Sequence, residues 1–168
     1  LPHIAVPSIT FDGAQRAHLA SAVLAYATMG PSTVSAAAQY EDGAGSWTAA
    51  TLLESDSESV QTNPPGIVAR TLENGDVLFA WSQRDSSSTV RTWTRRFDVT
   101  TRTYGNRIEV TDGAGNAGEF VGLATDASGT AILLGKRGSE LWAARLVAGS
   151  WERARTVHSG KNARSEER

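Results

Sequence analysis

The sequence predicts an all-β fold in which one unit, a meander of four short antiparallel strands, is written three times. Two observations carry that prediction. The first is the stretch 89–98 (TVRTWTRRFD), where Trp93, Arg95 and Phe97 alternate with Thr92, Thr94 and Arg96. A period of two puts successive side chains on opposite faces of a strand. This stretch follows 77–83 (VLFAWSQ), which is entered through the tight-turn signal Glu73-Asn74-Gly75-Asp76, and the pair is flanked by 66–71 (GIVART) and 106–111 (NRIEVT). The second observation is recurrence. Tyr40, Phe97 and Leu146 close comparable strands (AAAQY, WTRRF, WAARL) at spacings of 57 (97 − 40) and 49 (146 − 97) residues, and Trp47, Tyr104 and Trp151 follow them after a turn.

The first unit covers about 7–54, with strands at 7–11, 21–27, 33–40 and 47–53 and Asp12-Gly13 as its turn. Residues 13–29 also read as a helix, with Asp12 as N-cap, Gln15 completing a capping box and Gly30-Pro31 as the stop. The alternative architecture is therefore α+β, an N-terminal helix on a β-sheet. The repeat register favours a strand at 23–26, matching 78–81. The second unit covers 66–111, with Pro64-Pro65 ahead of its first strand, where a missing donor is harmless. The third covers 119–157, with the turn Ser128-Gly129 and strands at 120–125, 130–135, 141–146 and 151–157. Acidic and Ser-rich linkers at 54–61 and 112–118 separate the units, and the charged stretch 159–168 reads as a disordered tail.

Composition bounds the function. A chain of 168 residues is long enough for one domain with a real core. Net charge −2 and a pI near 5.9 argue against a nucleic-acid partner. There is no cysteine, which removes disulfides and thiolate chemistry. No apolar run approaches the roughly 20 residues of a spanning helix. A start at Leu1-Pro2-His3 reads as a processed N-terminus or a fragment.

Four-stranded antiparallel sheets at periods near 50 mark propeller blades. Asn74-Gly75 with Trp81, Trp93 through Phe97, Ser128-Gly129 with Trp142 through Leu146, and Gly149 through Trp151 together resemble the bacterial β-propeller repeat proteins of the sialidase-like class. The stretch 42–47 (DGAGSW) is similar to that class's Asp-box turn. It departs from the pattern at Ala44, where a Gly belongs, and reads as a folding turn. The resemblance implies a propeller-like array of three blades. Three blades do not close a ring, so the array is expected to belong to a longer propeller or to pair with a second copy into a homodimeric ring.

Candidate chemistry is sparse. Residues 113–118 (GAGNAG) satisfy G-x-G-x-x-G, but a dinucleotide site needs a parallel strand before it and a helix after it, and 119–125 is strand-like. Asp112, Asn116 and Glu119 outline a calcium loop that lacks its third ligand and its Gly. His3, His18 and His158 have no metal-ligand spacing, so no metal or cofactor is expected. Arg95, Arg96 and Arg145 evoke an arginine cluster, yet Arg96 and Arg145 recur in register, with Gln39 as the third member, which points to a structural role. Trp81, Trp93 and Trp142 read as core between blades. Ligand binding is assigned to loops at one rim, to Arg84 and Asp85 after the second strand of the middle unit and their counterparts Lys136 and Arg137, with 28–31 as the first-unit segment. The expected role is an extracellular or periplasmic module that recognises a carbohydrate or protein ligand. The alternatives are a sialidase-like glycoside hydrolase or lyase fragment, and a structural module of a larger protein.

Overall fold

A computed structural model of the protein describes residues 7–25, 33–54, 59–60, 66–84, 87–111, 118–126 and 128–159. Within them all regular structure is β, arranged in three antiparallel sheets taken in chain order. The first sheet holds β1 (Ser8–Phe11), β2 (Ala17–Ala25), β3 (Thr33–Tyr40) and β4 (Thr51–Leu52). The second holds β5 (Ser59–Val60), β6 (Ile67–Thr71), β7 (Val77–Arg84), β8 (Val90–Asp98), β9 (Thr103–Tyr104) and β10 (Ile108–Glu109). The third holds β11 (Glu119–Thr125), β12 (Ala131–Arg137), β13 (Glu140–Val147), β14 (Ser150–Trp151) and β15 (Arg155–Ser159).

The expected count of four strands per sheet therefore holds only for the first. The difference lies in broken edges. β5 and β6 both pair with β7, at Gln83 and Arg84 and at Val77 through Trp81. β9 and β10 share β8, and β14 and β15 share β13, in the same way. Each sheet is four strands deep, and the short loops 105–107 and 152–154 interrupt the outermost strand. The last strand also extends to Ser159, one residue into the stretch expected to be a tail.

The helix expected as an alternative over 13–29 does not form: Ala17–Ala25 is a strand. Gln15 sits at φ 61°, in the left-handed region that no right-handed helix can use. The Asp12 carboxylate accepts from Ala14 and Arg16 N–H, closing a turn instead of capping a helix. Ladders on both sides, β1 and β3, then fix β2.

The turns set the register between sheets. Asp12 N–H donates to Arg16 O, Leu72 N–H to Asp76 O and Asp126 N–H to Thr130 O, while Gln15, Gly75 and Gly129 donate back to Asp12, Leu72 and Asp126. Gln15, Gly75 and Gly129 have φ 61°, 85° and 76°. Ala17, Val77 and Ala131 are consequently equivalent, and their cross-strand positions are Glu41, Phe97 and Leu146. Tyr40 thus stands one place off the expected alignment. It is the counterpart of Arg96 and Arg145, the position expected of Gln39. The aromatic series is confirmed, since Trp47, Tyr104 and Trp151 pair with Glu41, Phe97 and Leu146.

Each sheet has a rear face, turned to the sheet before it, and a forward face, turned to the sheet after it. Ala20, Ala36, Ala38, Tyr40 and Leu53 on the forward face of the first sheet pack on Ile67, Ala69, Phe79, Trp81 and Phe97, the rear face of the second. Val68, Leu78, Ala80 and Val110, forward on the second, pack on Phe120, Leu133, Trp142, Ala144 and Leu146, rear on the third. The sheets stack with the same polarity, because Gly13 N–H donates to Gly75 O at 3.0 Å and the Glu73 side chain lies against Gly129 at the next step. Trp93 and Trp142 occupy the same register position. Trp142 lies across Gly135, where a Cβ would sit 1.9 Å from its ring, whereas Trp93 faces Trp81.

The first two sheets approach so closely at their turns that a Cβ on Gly13 would lie 2.7 Å from Gly75 Cα. Gly13 has no φ strain of its own, so Gly13→Ala isolates this contact. The substitution is expected to cost about 1–3 kcal/mol in chemical denaturation. Gly122→Ala, with open space at its Cβ, is expected to be neutral or to stabilise by about 0.4–1 kcal/mol. Equal effects would place the close approach outside the folded state.

Candidate functional site

The stack has two ends with different chemistry. At the turn end, the first turn buries Asp12, Arg16 and His18 together. The Asp12 carboxylate accepts from Arg16 Nε at 2.8 Å and His18 Nε2 at 3.0 Å, and Arg16 donates onward to Val99 O at 3.2 Å on the second sheet. The His18 ring packs 4.8 Å from Phe97 and 5.3 Å from Tyr40, centroid to centroid. The second turn repeats the device with Asp76, which accepts from Arg96 and from Val99 N–H. In the third, Asp126 accepts from Ser128 and Thr130 N–H. A cleft of about 300 Å³ lies here between the second and third sheets, lined by Leu72, Asn74, Arg96, Ser128, Leu146 and Gly149 among others.

These carboxylates hold turns closed, and their electrostatics agree. Burial raises the Asp12 pKa, but hydrogen bonds from His18, Arg16 and Ala14 outweigh it and hold the group below its ordinary 3.8. Burial lowers the His18 pKa below 6.5 against the opposing hydrogen bond and charge of Asp12, and Arg16 lowers it further. Among the described residues His18 Nδ1 has no partner, so the neutral ring carries its proton on Nε2 and donates it in the hydrogen bond to Asp12.

The opposite end carries the hairpins β7–β8 and β12–β13. Arg84 closes β7, exposed, and its guanidinium donates to Ser88 O at 2.9 Å. Lys136 is exposed on the forward face of β12, and Arg137 pairs with Glu140 at 2.8 Å. Asp85 and residues 28–31 lie outside the described residues. By register Arg84 corresponds to Gly138 (both seven residues past Val77 and Ala131), so Lys136 and Arg137 are not its counterparts but those of Ser82 and Gln83. The sequence alignment is two residues off because the β12–β13 turn is shorter.

Sequence reasoning missed a buried polar chain at this end. Glu54 and Gln83 are buried. Gln83 Nε2 donates to Glu54 at 3.4 Å, while Trp81 Nε1 and an Arg107 nitrogen both donate to Gln83 Oε1, at 3.3 and 3.4 Å. The Arg107 guanidinium stacks 3.8 Å from the Trp93 ring centroid. The three polar residues come from three separate segments, and no local spacing joins them. Trp142 is core, as expected, whereas Trp93 is partly buried against the core between the first two sheets. Trp47, which ends the stretch read as a folding turn, is half exposed. The Arg95, Arg96 and Arg145 set does not converge: Arg95 donates to Leu52, Leu53 and Gly105 carbonyls, Arg96 is held by Asp76, and Arg145 is exposed on the third sheet.

The Gly-rich loop 113–118 and the calcium outline lie largely outside the described residues. Among the described residues no group of three or more His, Asp or Glu side chains is placed to hold a metal ion, and no helix is long and apolar enough to cross a membrane. No protein-family model matches the chain, and no curated protein matches its sequence.

The His18 pKa is depressed in the folded state, so its stabilising contribution is full above 6.5 and is lost as pH falls through the lower folded value. Stability measured from pH 7 down to 5.5 is expected to fall in the wild type. In His18→Gln, which keeps a donor for Asp12 but does not titrate, it should fall less steeply. Parallel curves would contradict the assignment.

Proposed function

We propose that the chain is a recognition module of three propeller-type blades, extracellular or periplasmic, that holds a carbohydrate or protein ligand on loops at its hairpin end. The observation that supports this most is the gathering of side chains there. Arg84 and Lys136 stand exposed, and Arg137 is half buried beside Glu140. Behind them the Glu54–Gln83–Arg107 chain fixes the Arg107 guanidinium on Trp93. Fixed cations at loop ends carried by a rigid stack suit a ligand bearing carboxylates, because charge-assisted hydrogen bonds to oxygen are directional. The ligand class favoured is an acidic oligosaccharide.

Calorimetric titration with acidic and neutral oligosaccharides tests this reading. The acidic ligands should bind, and Arg84→Ala should weaken them by about tenfold. The thermal transition should be unchanged, since the Arg84 side chain is exposed. Undiminished affinity in the variant, or a preference for neutral sugars, contradicts the rim assignment.

A further inference from the structure

The fixed order of faces leaves one forward face and one rear face open. On the forward faces His18 and Leu78 are buried, but their counterpart Ile132 is 44% exposed. Ala20 and Ala80 are buried, but Leu134 is 40% exposed. Leu53 and Val110 are buried, but Val157 is 59% exposed. On the rear faces Ala69 and Leu123 are buried, but their counterpart Ile9 is 59% exposed. Tyr104 packs into the first interface, and Trp151 donates from Nε1 to Thr94 Oγ1 at 2.9 Å on the preceding sheet, whereas Trp47 is 47% exposed. The open faces are thus the two halves of an interface that the chain builds twice internally.

We propose that a second copy of this chain occupies both: the forward face of the third sheet in one copy seats on the rear face of the first sheet in the other. Two such contacts close a two-fold ring of six sheets. One register position says why the occupant is a copy. At the first internal step, forward-face Tyr40 packs 4.8 Å from rear-face Phe97. At the second, forward-face Arg96 shares a cleft with rear-face Leu146. The next forward-face residue in this series is Arg145, and the rear-face residue on the first sheet is Glu41. Repeating the same step between copies sets a guanidinium on a carboxylate, amid Ile9, Ile132 and Leu134. The pair is complementary at this junction and occurs at neither internal one.

The inference rests on the blade-like stacking of the proposed function, not on its rim ligand. Sedimentation equilibrium at micromolar concentrations tests it with wild type, Arg145→Glu, Glu41→Arg and the two combined in one chain. The wild type should have twice the chain mass of 17.8 kDa. Each single reversal should weaken association about tenfold or more, and the combined variant should recover it. Circular dichroism should show all four folded, since neither side chain is in a buried cluster. A monomeric wild type, open-ended polymers, or no recovery in the combined variant overturns the pairing. Retention of the oligosaccharide by a monomeric wild type would leave the module reading standing while the pairing fell.

Discussion

The constraint on which the rest of the structure depends is the burial of the second sheet on both faces. Every residue of β7 from Val77 to Gln83 is buried. Phe79 and Trp81 point back into the first sheet, and Leu78 and Ala80 point on into the third. A strand covered on both sides reads as a continuous apolar run, whereas one covered on a single side alternates. β12 is buried and exposed in turn within one chain, yet its sequence from Ala131 to Gly135 is likewise apolar on both faces.

Polar groups reinforce this layering where the sheets meet. Thr10 bonds Thr71 at 2.9 Å, and Ala69 N–H donates to Ser8 Oγ at 2.9 Å across the first junction. Thr92 donates to Gly118 O at 2.6 Å across the second. Thr and Ser hydroxyls, buried at Thr92 and partly so at Ser8, satisfy backbone groups at the sheet edges. Aromatic volume is traded within the layers. Gly135 makes room for Trp142, while in the second sheet Trp81 fills that space and Trp93 is covered by Arg107.

Much of this was legible in the sequence, because alternation and turn signals are local. The strands at 77–83, 89–98, 120–125 and 141–146 fall within a residue or two of their observed bounds, and the aromatic series Trp47, Tyr104 and Trp151 holds in register. The first unit misled where a local rule met an exception. Asp12-Gly13 looks like Asn74-Gly75, yet the left-handed position is filled by Gln15, so the first unit slid against the others and Gln39 replaced Tyr40. The Glu54–Gln83–Arg107 chain was not legible at all, since its members lie in different loops and strands and only the folded stack brings them together.

Native-state hydrogen exchange on β7 tests most directly the claim that double-sided burial of the second sheet holds the molecule together. The account predicts that the amides of Leu78 through Trp81 exchange only through global unfolding, with protection that tracks the full unfolding free energy in denaturant. Those of β1 and β15, each laddered to a neighbouring strand on one side, should exchange through smaller local openings. Amides of β7 that exchange as readily as those of β1 or β15 would contradict it.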